Sequence, residues 1–171
     1  MRRLAPVLAL AAVMAIAGTA VAKQPSKLQT FGTGDASLTG GVLTLHNDAN
    51  EYSGVYLQTN SRRARPIGSL HITFDRSGDI EGGAPRFSIP ISTHRNGRLD
   101  AYAFIDVNSC GGGATVSTDA ANCGVYFRND FFANWAAMVS AHPTWRLAAG
   151  KVPFIIADVA GDYVISNIDL R

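Results

Sequence analysis

The chain has 171 residues, with 15 Lys and Arg against 13 Asp and Glu and a formal net charge of +2. Arg2 and Arg3 lie in an N-terminal segment that we expect to be removed. The mature chain is therefore formally neutral, and its charge gives no support for binding to nucleic acid or to anionic membranes.

The first element along the chain is an export signal. Residues 1–3 form a short basic head, residues 4–17 are almost wholly apolar, and residues 20–22 form a small-x-small cleavage site. This pattern is typical of a secretory signal peptide, and its apolar core is too short for a stable membrane span. We therefore expect a secreted or periplasmic protein whose mature part, residues 23–171, is a single domain without a membrane anchor.

The mature part reads as a series of strands. Short runs rich in Val, Ile, Phe, Tyr and Thr recur between Gly, Asn, Asp and Pro residues. Such runs, with few helical patterns between them, predict an antiparallel sandwich or barrel. We predict an all-β, jelly-roll-type β-sandwich with one short helix, and a closed barrel is the alternative. The predicted strands are 42–46, 54–59, 69–75, 86–92, 100–107, 124–128, 152–159 and 163–170, with an extra opening strand at 28–31.

The alternation of apolar and polar residues indicates which face of each strand is buried. In strand 69–75 the apolar residues at 70, 72 and 74 share one face, and in strand 86–92 those at 87, 89 and 91 do. These strands are expected to be buried on one face only. Strand 152–159 is apolar on both sides, which is typical of a strand that is covered on both faces.

The segment 75–82 places oxygen-bearing side chains at every second residue. Loops of this type can wrap a calcium ion, because alternate side chains converge when the backbone curls. Asp75, Asp79 and Glu81 are therefore candidate calcium ligands. The alternative is an exposed acidic turn, since the EF-hand signature requires Gly where Ile80 stands. No other cofactor is indicated.

Strand 100–107 carries the most suggestive pattern for ligand binding. Asp100, Tyr102, Phe104 and Asp106 share one face, opposite a face of small apolar residues. Rings flanked by carboxylates suit a sugar, because the rings stack on its C–H faces and the carboxylates accept its hydroxyls. In the alternative interpretation Phe104 and Tyr102 belong to the core and the acids only end the strand. The candidate ligand-binding residues are Tyr102, Asp100, Asp106, Tyr56 and Arg86.

Cys110 and Cys123 are the two cysteines of the chain. In an exported protein they are expected to form a structural disulfide. The spacing does not fit a Cys-x-x-Cys redox motif, and no nearby His or further Cys completes a metal site. Closing a loop of this size typically stabilises a protein by about 3 kcal/mol.

One segment, 130–141, has helical periodicity. Asn129 or Asp130 can cap it, and Pro143 follows its end. Phe131, Trp135 and other large side chains share one stripe, so we expect the helix to pack over one edge or end of the sandwich.

No motif assigns a catalytic residue. The four histidines fall on different predicted elements, and the chain has neither an H-E-x-x-H metal motif nor a G-x-S-x-G nucleophile elbow. A pair of carboxylates in one cleft leaves no signature in a sequence, so the question of enzyme activity stays open.

The closing segment 162–170 (DYVISNIDL) follows an apolar strand. It resembles the last strand of jelly-roll carbohydrate-binding modules, which often end in a Tyr-x-Ile-x-Asn-Ile-like run. Segments 82–89 and 108–111 also resemble secreted bacterial proteins, a likeness that implies no activity. The first resemblance implies a jelly-roll sandwich that binds carbohydrate, but it assigns no ligand-binding residue.

Three functions follow from these observations. The first is a non-catalytic binding module for carbohydrate or another cell-surface polymer. The second is an envelope-structural or protein-interaction role. The third is a secreted hydrolase, which two carboxylates, or a His with an acid, in one concave pocket would favour. The first rests on analogy at the level of the fold.

Overall fold

The structure is a computed structural model that describes residues 28–58 and 63–171. The predicted signal peptide, residues 1–22, lies outside the described residues. The strands are β1 Leu28–Gly32, β2 Asp35–Thr39, β3 Val42–Asn47, β4 Ser53–Leu57, β5 Arg65–Pro66, β6 Ile72–Gly78, β7 Arg86–Ser92, β8 Ala101–Asp106, β9 Thr115–Ser117, β10 Val125–Phe127, β11 Asp130–Phe132, β12 Arg146–Leu147, β13 Phe154–Ala157 and β14 Gly161–Leu170. The helix α1 is Trp135–Ala141, and two 3₁₀ turns lie at Ile67–Ser69 and Asn108–Cys110.

Two antiparallel sheets form a sandwich. The larger sheet has the order β1-β4-β13-β7-β8-β10-β11, with β5 and β12 attached beside β7, and the smaller has the order β2-β3-β14-β6-β9. The chain crosses repeatedly from one sheet to the other, so β13 lies inside the larger sheet and the next strand, β14, lies inside the smaller one. The predicted fold class is confirmed, and the two separate sheets favour the sandwich over the barrel.

The core lies between the inner faces of the two sheets. The alternation predicted from the sequence is confirmed there, because residues 70, 72 and 74 and residues 87, 89 and 91 are buried. Phe74 of the smaller sheet meets Phe87 of the larger sheet edge to face, with ring centroids 4.7 Å apart. Burying a side chain of this size stabilises the fold by about 1.5–3 kcal/mol.

The outer face of β7 differs from the prediction. Ser88, Pro90 and Ser92 are buried as well, so this strand is covered on both faces rather than one. The reason lies in its position: β7 pairs with β13, β8 and β12, and the large side chains of those strands cover its small outward residues.

The helix is shorter than the sequence predicts. It begins at Trp135, and the side chain of Asn134 caps it by accepting a hydrogen bond from the backbone N–H of Ala137 at 2.8 Å. Residues 130–132 form β11 instead, which pairs with β10 in a hairpin whose turn holds Arg128 at a φ of 56°. The helix lies against β11 and the turn Ile67–Ser69, at one edge of the sandwich, as expected.

The predicted disulfide between Cys110 and Cys123 is present. Both half-cystines are buried, and they join the turn that follows β8 to the segment that precedes β10. Asn122 donates a further hydrogen bond to the carbonyl of Cys110 at 3.1 Å. The disulfide therefore closes the loop that contains β9, a strand of the smaller sheet.

Candidate functional site

A row of side chains crosses the outer face of the larger sheet, the face turned away from the core. Cross-strand pairing links its members one strand at a time, and inward neighbours such as Val55, Ile155 and Ala103 are fully buried, so the row itself points outward. From β1 to β11 the row reads Gln29, Tyr56, Phe154, Ser88, Phe104, Tyr126 and Phe131.

Four rings near one side of this face form what we call the aromatic cluster: Phe31, Tyr56, Phe154 and Tyr102. Phe154 lies at its centre, with ring centroids 5.6 Å from Phe31, 5.9 Å from Tyr56 and 5.3 Å from Tyr102. Phe31 and Tyr56 are closer still, at 4.3 Å. All four side chains are half-buried. The rings therefore hold one another in place and still keep part of their surface open.

A glycine makes room for the cluster. Gly54 is paired with Phe31 across the β1–β4 ladder, and a Cβ atom there would come within 2.6 Å of the Phe31 ring and 2.3 Å of the Ile155 carbonyl oxygen. The absence of a side chain lets the Phe31 ring approach the strand closely. The packing of the aromatic cluster therefore requires Gly at position 54 as well as the four rings.

Tyr102 lies on the outward face of β8, as the alternation predicts. Its neighbours Ala103 and Ile105 are fully buried, whereas Tyr102 keeps part of its ring exposed. Burial, followed by the proximity of Tyr56, raises the pKa of the Tyr102 hydroxyl. Tyr56 and Tyr102 each offer one hydroxyl as hydrogen-bond donor or acceptor beside the rings.

Arg86 lies on the same face but is already engaged. Both terminal nitrogens of its guanidinium group bind the carboxylate of Asp158, one of them at 2.7 Å. Its guanidinium carbon also lies 5.5 Å from the centroid of the Phe104 ring. A bidentate pair of this kind holds the side chain in one geometry. Arg86 therefore forms a fixed border of the face next to Phe104.

Asp100 and Asp106 lie at opposite ends of β8, and both are engaged by turns. The carboxylate of Asp100 accepts bonds from the backbone N–H of Thr93 at 2.7 Å and from its hydroxyl at 3.0 Å. These bonds, the backbone one first, lower the pKa of Asp100. Asp106 accepts a bond from the backbone N–H of Ser109 at 2.6 Å. The structure thus brings Tyr56 and Tyr102 together and leaves both acids in structural roles at the strand ends.

The sequence analysis did not identify Phe154 and Phe31 as site residues. Phe154 stands in the run F-I-I-A, where inward and outward positions are all apolar, so alternation does not separate them. In the structure Ile155 and Ala157 are buried, whereas Phe154 and Ile156 are only half-buried, so the prediction of a strand covered on both faces is wrong for its outer face. Tyr56 and Phe154 meet because β4 pairs with β13, and no local signal gives that pairing.

The candidate calcium ligands do not share a site. Asp75 lies within β6 and accepts bonds from Thr115 and Asn167, at 2.6 Å and 2.8 Å. Asp79 accepts the backbone N–H of Asp162 at 2.9 Å, and Glu81 is exposed in the turn beyond. Within residues 28–58 and 63–171, no three His, Cys, Asp or Glu side chains are grouped so that they would hold a metal ion. The calcium hypothesis gains no support from these contacts.

Comparison with known proteins adds no relative. No family model, no curated protein and no solved structure matches the chain. In the part of the chain that the structure describes, α1 and the other helical segments lack the length and hydropathy needed to cross a bilayer.

Proposed function

We propose that the protein is a non-catalytic binding module that attaches to a glycan or a glycan-containing cell-surface polymer through the aromatic cluster. The observation that carries the proposal is the cluster itself: four half-buried rings on the outer face of one sheet, in mutual contact. Partly exposed rings of this kind suit a binding site, because aromatic side chains offer a large apolar area and, in Tyr, a polar group beside it.

The geometry suits a ligand with alternating flat apolar and polar surfaces. The rings offer apolar area for the C–H faces of sugar residues, and the hydroxyls of Tyr56 and Tyr102 offer hydrogen bonds at the same surface. Because strands hold the rings and the rings hold one another, little conformational entropy is lost when a ligand binds. The predicted export signal and the resemblance of segment 162–170 to carbohydrate-binding modules support the same function.

The test is retention of the mature protein on isolated cell envelopes and on a panel of insoluble polysaccharides. Tyr102→Ala should weaken retention at least about tenfold, since truncating a central aromatic residue of an interface typically costs about 2 kcal/mol or more. Leu38→Ala is the control, because it removes a partly exposed apolar side chain from the other sheet. Equal retention of both variants and the parent protein would contradict the proposal.

A pretreatment of the envelopes separates glycan binding from protein binding. Periodate cleaves the vicinal diols of sugars, whereas protease digests proteins. Retention that periodate abolishes and protease leaves intact supports the glycan. The reverse result would assign the aromatic cluster to an envelope-structural or protein-interaction role.

A further inference from the structure

A concave site that shares no residue with the aromatic cluster lies where α1 faces the loop after β9. The groove has a volume of about 480 Å³, within the size range of small-molecule sites. One wall is the helix, with Trp135, Ala136 and Val139, and the other is the loop, with Ala120 and Ala121. Its lining is mostly apolar, and the sequence analysis assigned no function to this region.

A histidine and a carboxylate lie together at this groove, which is the arrangement that would favour a secreted hydrolase. Among the described residues, however, no hydrogen bond joins the His71 ring to a Ser, Thr or Cys, so the pair has no side-chain nucleophile to activate. The Nδ1 atom of His71 and the Oδ1 atom of Asp119 are 2.7 Å apart, and both residues line the groove. Hydrogen bonds hold both backbones: His71 exchanges two bonds with Arg171, and Asp119 donates its N–H to Ser117 Oγ at 3.0 Å. About half of each side chain, 48%, stays exposed. The pair is thus positioned rigidly and remains open to a ligand.

The hydrogen bond to Asp119 determines which nitrogen of His71 can accept a hydrogen bond from a ligand. A carboxylate is an acceptor, so Nδ1 carries the proton of the neutral ring, and Nε2 is left with its lone pair. A ligand must then donate a hydrogen bond to Nε2. The negative charge of Asp119 disfavours an anionic ligand group at this place. Because the rest of the lining is mostly apolar, a charged donor is disfavoured as well, and the group that fits is an uncharged donor such as a hydroxyl.

A second observation concerns the wall of the groove. Trp135 is only 4% exposed, and its indole N–H has no acceptor in the part of the chain that the structure describes. Buried indole N–H groups normally have a partner. The wall therefore contains a donor that the protein leaves unmatched.

We propose that this groove binds a small, largely apolar molecule that carries a hydroxyl group, with its apolar body between α1 and the loop and its hydroxyl donating to Nε2 of His71. The site is separate from the aromatic cluster and does not depend on glycan binding. Asp119 acts as a positioning residue that keeps the lone pair on Nε2.

The test uses the mature protein with 2-naphthol as the probe and 2-methoxynaphthalene as its matched partner, which has the same rings but cannot donate a hydrogen bond. Calorimetric titration should show 2-naphthol binding about three- to tenfold more tightly than the ether, the range expected for one hydrogen bond. In the ¹H–¹⁵N spectrum the indole signal of Trp135 should shift on binding. The signal of Trp145, the other tryptophan of the chain, should stay in place.

Three variants locate the site. His71→Ala should remove the preference for the hydroxyl, whereas His46→Ala, which disrupts another His–Asp pair, should retain it. Ala136→Trp should fill the groove and abolish binding of both compounds, and the spectrum of the variant reports whether it is folded. Any one of three results would overturn the proposal. They are equal affinity of the two compounds for the parent protein, a Trp135 signal that does not shift on binding, and unchanged affinity of folded Ala136→Trp for either compound.

Discussion

Replacing Tyr102 with Ala distinguishes a ring that belongs to the core from a ring that is held on a surface. Fully burying a side chain of this size contributes about 1.5–3 kcal/mol, and Tyr102 is half-buried, so its truncation removes about 1 kcal/mol of that burial. Its edge contact with Phe154 adds about 0.5–1.5 kcal/mol. We therefore expect the free energy of unfolding to fall by about 1.5–2.5 kcal/mol.

Urea denaturation of three variants, with rings buried to different degrees, measures this loss of unfolding free energy. Phe87→Ala removes a ring that is fully buried and should cost about 3–5 kcal/mol. Tyr126→Ala removes a ring that is 44% exposed and should cost less than Tyr102→Ala. The three variants should therefore unfold in the order of burial, with Tyr102→Ala in the middle and with similar denaturant slopes.

Two results would refute the reasoning. If Tyr102→Ala costs as much as Phe87→Ala, the ring is a core residue and has no surface to offer a ligand. If it costs no more than Tyr126→Ala, the contact with Phe154 does not hold the ring, and the aromatic cluster is not a rigid platform. The binding experiment is informative only for a variant that remains folded, and the expected loss is smaller than the unfolding free energy of about 5–15 kcal/mol that is typical of a domain.

The remaining predictions concern other parts of the fold. Reduction of the disulfide should lower the free energy of unfolding by about 3 kcal/mol, and mass spectrometry of unreduced protein should show the two cysteine peptides linked; free thiols would contradict it. The hydrogen bond to Asp162 and the charge of that carboxylate raise the pKa of His46 above its ordinary value of 6.5. The stabilisation that the protein gains from the His46–Asp162 pair is therefore complete below pH 6.5, and it disappears as the pH rises through the raised pKa of His46. Asp162→Asn should return the pKa of His46, measured by NMR titration, toward 6.5. Gly54→Ala should destabilise the protein by about 1–3 kcal/mol through overpacking. Gly113→Ala, whose nearest atom is 3.6 Å from the added Cβ, should unfold like the parent. Equal midpoints for these two variants would show that the Gly54 position is not crowded.

The features that the sequence predicts well are those that local patterns determine. In β6 buried inward residues alternate with more exposed outward ones, and burial in the core follows that alternation directly. In β7 the pattern identifies the inward residues, but the outward ones are buried as well. The disulfide followed from there being two cysteines in a chain with a predicted export signal. By contrast β2, with the sequence DASLT, is mostly exposed and has no apolar alternation, so it was not predicted.

The limits of the helix prediction have a physical reason as well. Phe131 fits the helical stripe, but its ring lies over Gly124, where a Cβ atom would come within 2.5 Å of it. That contact requires β11 to pair with β10, and the helical periodicity of the segment does not reveal this pairing. The true cap, Asn134, is as good an N-cap residue as the two earlier candidates, so the sequence alone does not choose among them.

Both proposed sites depend on contacts between residues that are distant in the chain. The aromatic cluster joins β1, β4, β13 and β8 through the order of strands in one sheet, and the His71–Asp119 pair spans 48 residues. The sequence indicated Tyr102 and Tyr56 as rings on outward faces. Alternation predicts the face of a residue on its own strand, but it does not predict which strands are neighbours. The meeting of the two rings at Phe154, and the meeting of His71 with α1 across the groove, follow from the sandwich topology. The two sites therefore make independent tests of the fold: a variant that removes the Tyr102 ring leaves the groove intact, and one that fills the groove leaves the cluster intact.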